Sequence, residues 1–139
     1  MSRLLSVQNA AARLVSGARR YDHITPVLQE LHWLPVRCWV EFKIATLVYL
    51  SLSGMAPAYL AANCLLVSDE GRCLLCSATL RTCVVRQTYS NYGDRCFAAA
   101  GPRLWNSLPA DLRQADVSFE QFKWLLKAFL FRCWDRCAL

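Results

Sequence analysis

PVRCWVEFKIATLVYLSLSG, residues 35–54, decides the fold. The stretch opens on a proline, whose fixed φ suits a first helical position, and closes on a glycine, the residue that most readily ends a helix. Between them Val36, Val40, Ile44, Leu47 and Val48 share one stripe, and Phe42, Tyr49 and Leu50 widen it until apolar residues run almost all round. A helix of that kind belongs at the centre of a core, so the spacing predicts a buried central helix over 35–53. No Asp, Glu, Lys or Arg occurs from 44 to 68, a length that would span a bilayer. Ser51, Ser53, Gly54 and Pro57 interrupt it, leaving about ten apolar helical residues where about twenty are required. No membrane span and no membrane partner are expected.

Working outward, Leu4, Val7, Ala11, Leu14, Val15 and Ala18 fall on one face of a helix over 3–18, with Asn9, Arg13, Ser16 and Arg20 on another and Gly17 near its end. The apolar seam predicts packing against the rest of the domain. Thr25 ahead of Pro26 predicts an N-cap and a short helix through Leu31. Ser118 with Gln121 forms a capping box before a run in which Phe119, Phe122, Leu125, Leu126, Phe129 and Leu130 share a face opposite Lys123 and Lys127. Beyond Phe131 the pattern stops, and residues 133–139 are expected to fray.

The segment 77–99 reads differently. TLRTCVV, residues 79–85, is rich in β-branched residues, and Asn91 with Gly93 supplies turn chemistry before a second short strand at 95–98, which predicts a β-hairpin over about 79–98. GPRLWNSLP, residues 101–109, predicts a compact element that inserts Trp105 and Leu108 in the core, with Pro109 opening a short helical turn. The expected fold is mainly α with one small β-hairpin (α+β): a single domain over 1–132 around the central helix, with Trp105, Phe97, Leu47 and Phe122 in the core.

The net charge of +6 is made almost wholly by arginine: 13 of the 16 basic residues are Arg, and only Lys43, Lys123 and Lys127 are Lys. The planar guanidinium fork donates paired hydrogen bonds to phosphate and stacks on bases, which an ammonium cannot do. Arg3, Arg13, Arg19 and Arg20 cluster near the start, and Arg72, Arg81, Arg86, Arg95 and Arg103 in the middle. Around the expected hairpin, Arg81, Arg86 and Arg95 are interleaved with Tyr89, Tyr92 and Phe97, the combination that sequence-tolerant binding of single strands uses. The competing reading is that scattered Arg only keeps an apolar chain, 55% hydrophobic and 19% charged, in solution. That apolar excess also points to a surface covered by a partner.

Eight cysteines, at 38, 64, 73, 76, 83, 96, 133 and 137, raise the questions of disulfides, metal and catalysis. Arg3, Ser6, Gln8 and Asn9 interrupt any secretory signal at the start, so an intracellular location, nuclear or cytoplasmic, and reduced thiols are expected. Cys73 and Cys76 form one CxxC, but Cys83 and Cys96 stand too far apart for the second half of a zinc site, so no metal and no cofactor is expected. A phosphate-cradling glycine loop, GxSxG and HExxH are all missing, and His23 and His32 pair with cysteine no better than chance, so no enzymatic activity of the chain alone is expected.

Two strings are too particular to be generic helix: FAAAGPRLWNSLPADLR, residues 97–113, and DHITPVLQELHWLPV, residues 22–36. With VQNAAARLV (7–15), FKIATLVYLSLSGMAPAYL (42–60) and QFKWLLKAFLF (121–131), the chain resembles the region that follows the reverse transcriptase domain in polyproteins of LINE-type (non-LTR), jockey-like retrotransposons. The resemblance implies a C-terminal segment without the polymerase or endonuclease active sites. The family's aromatic-x-Asp-Asp turn is absent, and the only adjacent acidic pair is Asp69 with Glu70. In the pattern resembled, the positions of Trp39, Cys73, Cys76 and Trp124 are typically Arg, which suggests a drifted copy. The implied role is accessory binding of RNA or single-stranded DNA, with Arg13, Arg20, Arg81, Arg86, Arg95, Tyr89 and Tyr92 as the contacting residues. The alternatives are a structural module packed on the upstream polymerase thumb, for which the seam of residues 4–18 would serve, and a translated remnant without a role.

Overall fold

The computed structural model describes residues 2–68, 81–90 and 92–137. Among them the chain is mainly helical: α1 (Ser2–Ser16), α2 (Ile24–Glu30), α3 (Val36–Leu52), α4 (Ala58–Ala61), α5 (Phe97–Ser107) and α6 (Phe119–Cys137), with 3-10 turns at Gly93–Arg95 and Ala110–Leu112. It divides into two compact units: Met1–Phe42 with Lys127–Leu139, and Lys43–Leu126.

In the first unit α1 packs on α2, and Ala12 and Leu28 are buried. The side chain of Gln8 ties α1 to the entry of α3: its Nε2 donates to the Leu34 carbonyl at 2.7 Å and its Oε1 accepts from the Val36 N–H at 3.1 Å. These contacts turn the Gln8–Ala12 side of α1 inward, where the small alanine permits close approach. The seam expected to pack is left outside instead, with Leu4, Val7, Leu14 and Val15 exposed at 62%, 67%, 86% and 63%.

Helix α2 begins one residue before the expected cap. His23 takes the N-cap position in extended geometry without a side-chain bond, and Thr25 is already helical. Pro26 then falls in the first turn, where N–H groups lack helical partners and its missing donor costs little. The helix ends in a Schellman turn: the His32 N–H reaches the Gln29 carbonyl at 2.9 Å and the Trp33 N–H reaches Leu28 at 2.8 Å. Such a turn needs a left-handed residue, and His32 supplies it at φ 54°, at a cost of roughly 1–2 kcal/mol for a side chain with a Cβ.

Helix α3 closes with the same device and the expected residue. Gly54, at φ 70°, donates to Ser51 at 3.4 Å, and Met55 donates to Leu50 at 3.0 Å. Ala45, Val48, Tyr49 and Ser51 are its buried residues. Leu47, expected in the core, is 37% exposed. The apolar pattern runs nearly all round this helix, and which face turns inward is set by the aromatic residues it meets.

Those residues form the core of the second unit. The Tyr49 ring stacks on Phe122 with centroids 4.6 Å apart, and Trp105 lies 5.6 Å from Phe122 and 6.5 Å from Tyr49. Trp105 and Phe122 are both buried. The Tyr49 hydroxyl donates to the Val117 carbonyl at 2.6 Å, so its polar tip is satisfied at the core edge. Helix α5 approaches α3 closely at Gly101, where a Cβ would meet Val48 Cγ2 at 3.1 Å and the Phe97 ring at 3.2 Å. Phe97 itself is half-buried, covering the edge of this contact instead of filling the core.

The expected return strand at 95–98 is not formed. Arg95 ends a 3-10 turn and Phe97 starts α5, because the run Ala98–Ala99–Ala100 favours helix and only four residues are offered to a strand. Cys83 instead makes an antiparallel bridge with Leu66, flanked by Val67 N–H to Thr82 O at 2.9 Å and Val84 N–H to Leu65 O at 2.8 Å. Thr79, Leu80 and Asn91, also assigned to the hairpin, lie outside the described residues.

At the start of α6 the capping box is present: Gln121 N–H donates to Ser118 Oγ at 3.4 Å and Ser118 N–H donates to Gln121 Oε1 at 3.2 Å. The helix runs on to Cys137. Cys133 and Trp134, both half-buried, extend the three-to-four-residue spacing of Leu126 and Leu130. Among the described residues no helix is long and apolar enough to cross a membrane.

Candidate nucleic-acid interface

Residues 84–90, with Tyr92 beyond them, belong to a loop fixed at both ends in the second unit. Upstream, the Asn106 amide clamps Cys83 in both directions: Cys83 N–H donates to Asn106 Oδ1 at 2.9 Å, and Asn106 Nδ2 donates to the Cys83 carbonyl at 2.8 Å. Beside it, Trp105 Nε1 donates to the Arg81 carbonyl at 2.6 Å and Arg81 N–H donates to the Arg113 carbonyl at 3.3 Å. Downstream, Ser90 accepts from Gly93 N–H through its Oγ at 3.1 Å and from Asp94 N–H through its carbonyl at 3.1 Å. The Thr88 hydroxyl donates to Asp94, whose carboxylate also takes Arg103 at 2.8 Å.

Between these anchors Tyr89 and Tyr92 stand out at 101% and 87% exposure, and Arg86 and Arg95 are also exposed. Arg81 is half-buried. Arg103 is engaged by Asp94, and the Arg113 guanidinium is turned inward to the Leu108 carbonyl at 3.0 Å. Arg13 and Arg20 belong to the first unit: Arg20 is exposed, while Arg13 is half-buried with its Nη2 3.4 Å from the Asp22 carbonyl. The seven residues singled out by sequence thus fall into two groups, and Arg86, Tyr89, Tyr92 and Arg95 are the four that share one exposed segment. Asn106 and Asp94, which hold that segment in place, are not among the seven. An Asn directly after a buried Trp is the one available signal for the first.

The Thr88 hydroxyl, followed by Arg103, holds the Asp94 carboxyl below its ordinary value of 3.8. A depressed folded-state pKa stabilises the loop closure at all pH values above the unfolded range, and that contribution is lost as pH falls through the folded pKa. Amide resonances of Thr88, Gly93 and Asp94 are expected to shift together in an acid titration with a midpoint below 3.8. A midpoint at the ordinary value would contradict the Thr88–Asp94 closure.

The two buried thiols of this unit are chemically quiet. Burial pushes the Cys83 thiol up to about 12, helped by nearby Cys64 and opposed by Arg113. Burial likewise raises Cys64 against a hydrogen bond with Ser51. Both stay protonated at neutral pH and are poor nucleophiles or ligands. Cys96 is exposed, while Arg72, Cys73 and Cys76 lie outside the described residues. Among the described residues no three His, Cys, Asp or Glu side chains are grouped to hold a metal ion.

Compared with protein-family models, curated proteins and solved structures, the chain matches none. The likeness to retroelement polyproteins rests on the sequence strings alone, above all those at 22–36 and 97–113.

Proposed function

We infer that the chain is an accessory nucleic-acid-binding segment of a LINE-type retroelement polyprotein, engaging RNA or single-stranded DNA through the Tyr89 loop and its flank. The observation that carries this reading is the pair Tyr89 and Tyr92, strongly exposed between Arg86 and Arg95 on a loop held at both ends. Exposed aromatic rings have no folding benefit in water, whereas base stacking on each is worth about 1–3 kcal/mol. Anchoring reduces the ordering cost that a free loop would meet on binding.

The test is binding of the reduced, metal-free chain to a short single-stranded RNA across several salt concentrations. For Arg86→Ala with Arg95→Ala, the slope of log affinity against log salt is expected to fall by about 1.4, at roughly 0.7 per phosphate contact. Tyr89→Ala with Tyr92→Ala is expected to weaken binding while leaving that slope in place. Unchanged affinity in both double variants would defeat the reading.

A second reading, a protein-contact module, is favoured by α1. Its exposed Leu4, Val7, Leu14 and Val15 form an apolar stripe that the unit does not cover. A chain that stays monomeric and soluble at high concentration would count against it.

A further inference from the structure

We propose that the first unit carries a nucleotide-binding pocket, in which a nucleobase stacks on the exposed indoles of Trp33 and Trp39 and its phosphate is received by Lys127. The proposal stands on residues of the first unit alone and does not rest on the Tyr89 loop. His32, Trp33, Trp39 and Lys127, with Gln8, Leu34 and Phe42, line a cavity of about 370 Å³. That volume lies within the range of small-ligand sites.

Part of the lining is held firmly. Leu34 is buried, and both ends of the Gln8 amide are engaged by the backbone at Leu34 and Val36. Trp33 and Trp39 keep 37% and 52% of their surface exposed. Among the described residues no acidic side chain lines the cavity, and Lys127 makes it unfavourable for a cation. Flat aromatic faces beside a single positive charge suit a flat aromatic ligand with an anionic group, and a nucleotide unit is that ligand.

His32 is an independent pointer to the same cavity. The Schellman turns after α2 and α3 have the same hydrogen bonds, yet one uses Gly54 and the other places His32 at φ 54°. A glycine would relieve the backbone at 32, and the strained residue is the one whose side chain borders the cavity.

The experiment uses the full chain, with adenosine 5′-monophosphate, adenosine and a single-stranded hexaribonucleotide as probes, followed by indole fluorescence and calorimetry. Saturable quenching by the monophosphate is expected, with adenosine about fivefold weaker or more, as removal of one phosphate contact requires. His32→Gly is expected to raise the melting temperature by a few degrees and to weaken nucleotide binding, a combination that a purely structural histidine would not give. Lys127→Gln is expected to remove the advantage of the monophosphate over adenosine. Arg86→Ala with Arg95→Ala should leave monophosphate binding intact, so failure of the loop reading and failure of the pocket are separable. If the hexamer binds more tightly and loses that affinity in Lys127→Gln, the ligand is a nucleotide within a strand. If it binds no better than the monophosphate, the ligand is a free nucleotide. No saturable quenching at millimolar monophosphate, equal binding of adenosine, or full binding by His32→Gly would overturn the proposal.

Discussion

Trp105→Ala is expected to destabilise the second unit by about 3–5 kcal/mol, the range for removing a large buried aromatic side chain. The indole is 1% exposed and meets both Tyr49 and Phe122. Its removal opens a cavity at the centre of the aromatic cluster and also takes the Nε1 donor from the Arg81 carbonyl. For a small domain whose whole stability is about 5–15 kcal/mol, such a loss leaves much of the population near unfolding. Trp105→Phe separates the two effects: it keeps most of the ring and loses the hydrogen bond, for an expected cost of about 1–3 kcal/mol. Urea denaturation followed by far-UV circular dichroism measures both. An alanine variant within about 1 kcal/mol of the parent, below the range for such truncations, would mean that the cluster does not hold the unit together.

The same tryptophan marks what is legible in the sequence. Trp105 and Phe122 stand among apolar neighbours at helical spacing, and their burial follows from pattern alone. Pro35, Gly54, Ser118 and Gln121 are local signals acting within one turn, so the ends of α3 and the start of α6 are readable. Leu47 resists placement because an all-round apolar helix has no period from which to choose a face. The exposed seam of α1 resists it for the converse reason: a clear period says which residues share a face but not whether a partner covers it. The β-branched residues at 79–85 suggest a false hairpin because their true neighbour, Leu66, lies well upstream of Cys83 instead of across the downstream turn. In the candidate site, exposed Arg and Tyr are legible as composition. Their support by Asn106 and Asp94 is not, because it depends on contacts between residues far apart in the chain.

Asn106 is the support whose loss should matter most to both stability and binding. Its carboxamide gives one acceptor and one donor, and the backbone of Cys83, a residue 2% exposed, uses both. Asn106→Ala leaves a buried N–H and a buried carbonyl without partners, each costing roughly 1–3 kcal/mol, so a loss of about 2–4 kcal/mol is expected. Asn106→Asp is nearly the same shape but has no donor. It can still accept from the Cys83 N–H while facing the Cys83 carbonyl with negative charge, so it should not rescue the alanine variant. Neither change touches an arginine or a tyrosine of the loop. With the upstream anchor released, the Tyr89 loop must be ordered on binding, at about 1–2 kcal/mol for each backbone position fixed. RNA affinity is therefore expected to fall in both variants with the salt slope preserved in Asn106→Ala, measured where denaturation curves show the chain still folded. An Asn106→Ala chain as stable as the parent would show that Cys83 finds other partners, and one that is destabilised yet binds RNA unchanged would separate the anchor from the interface.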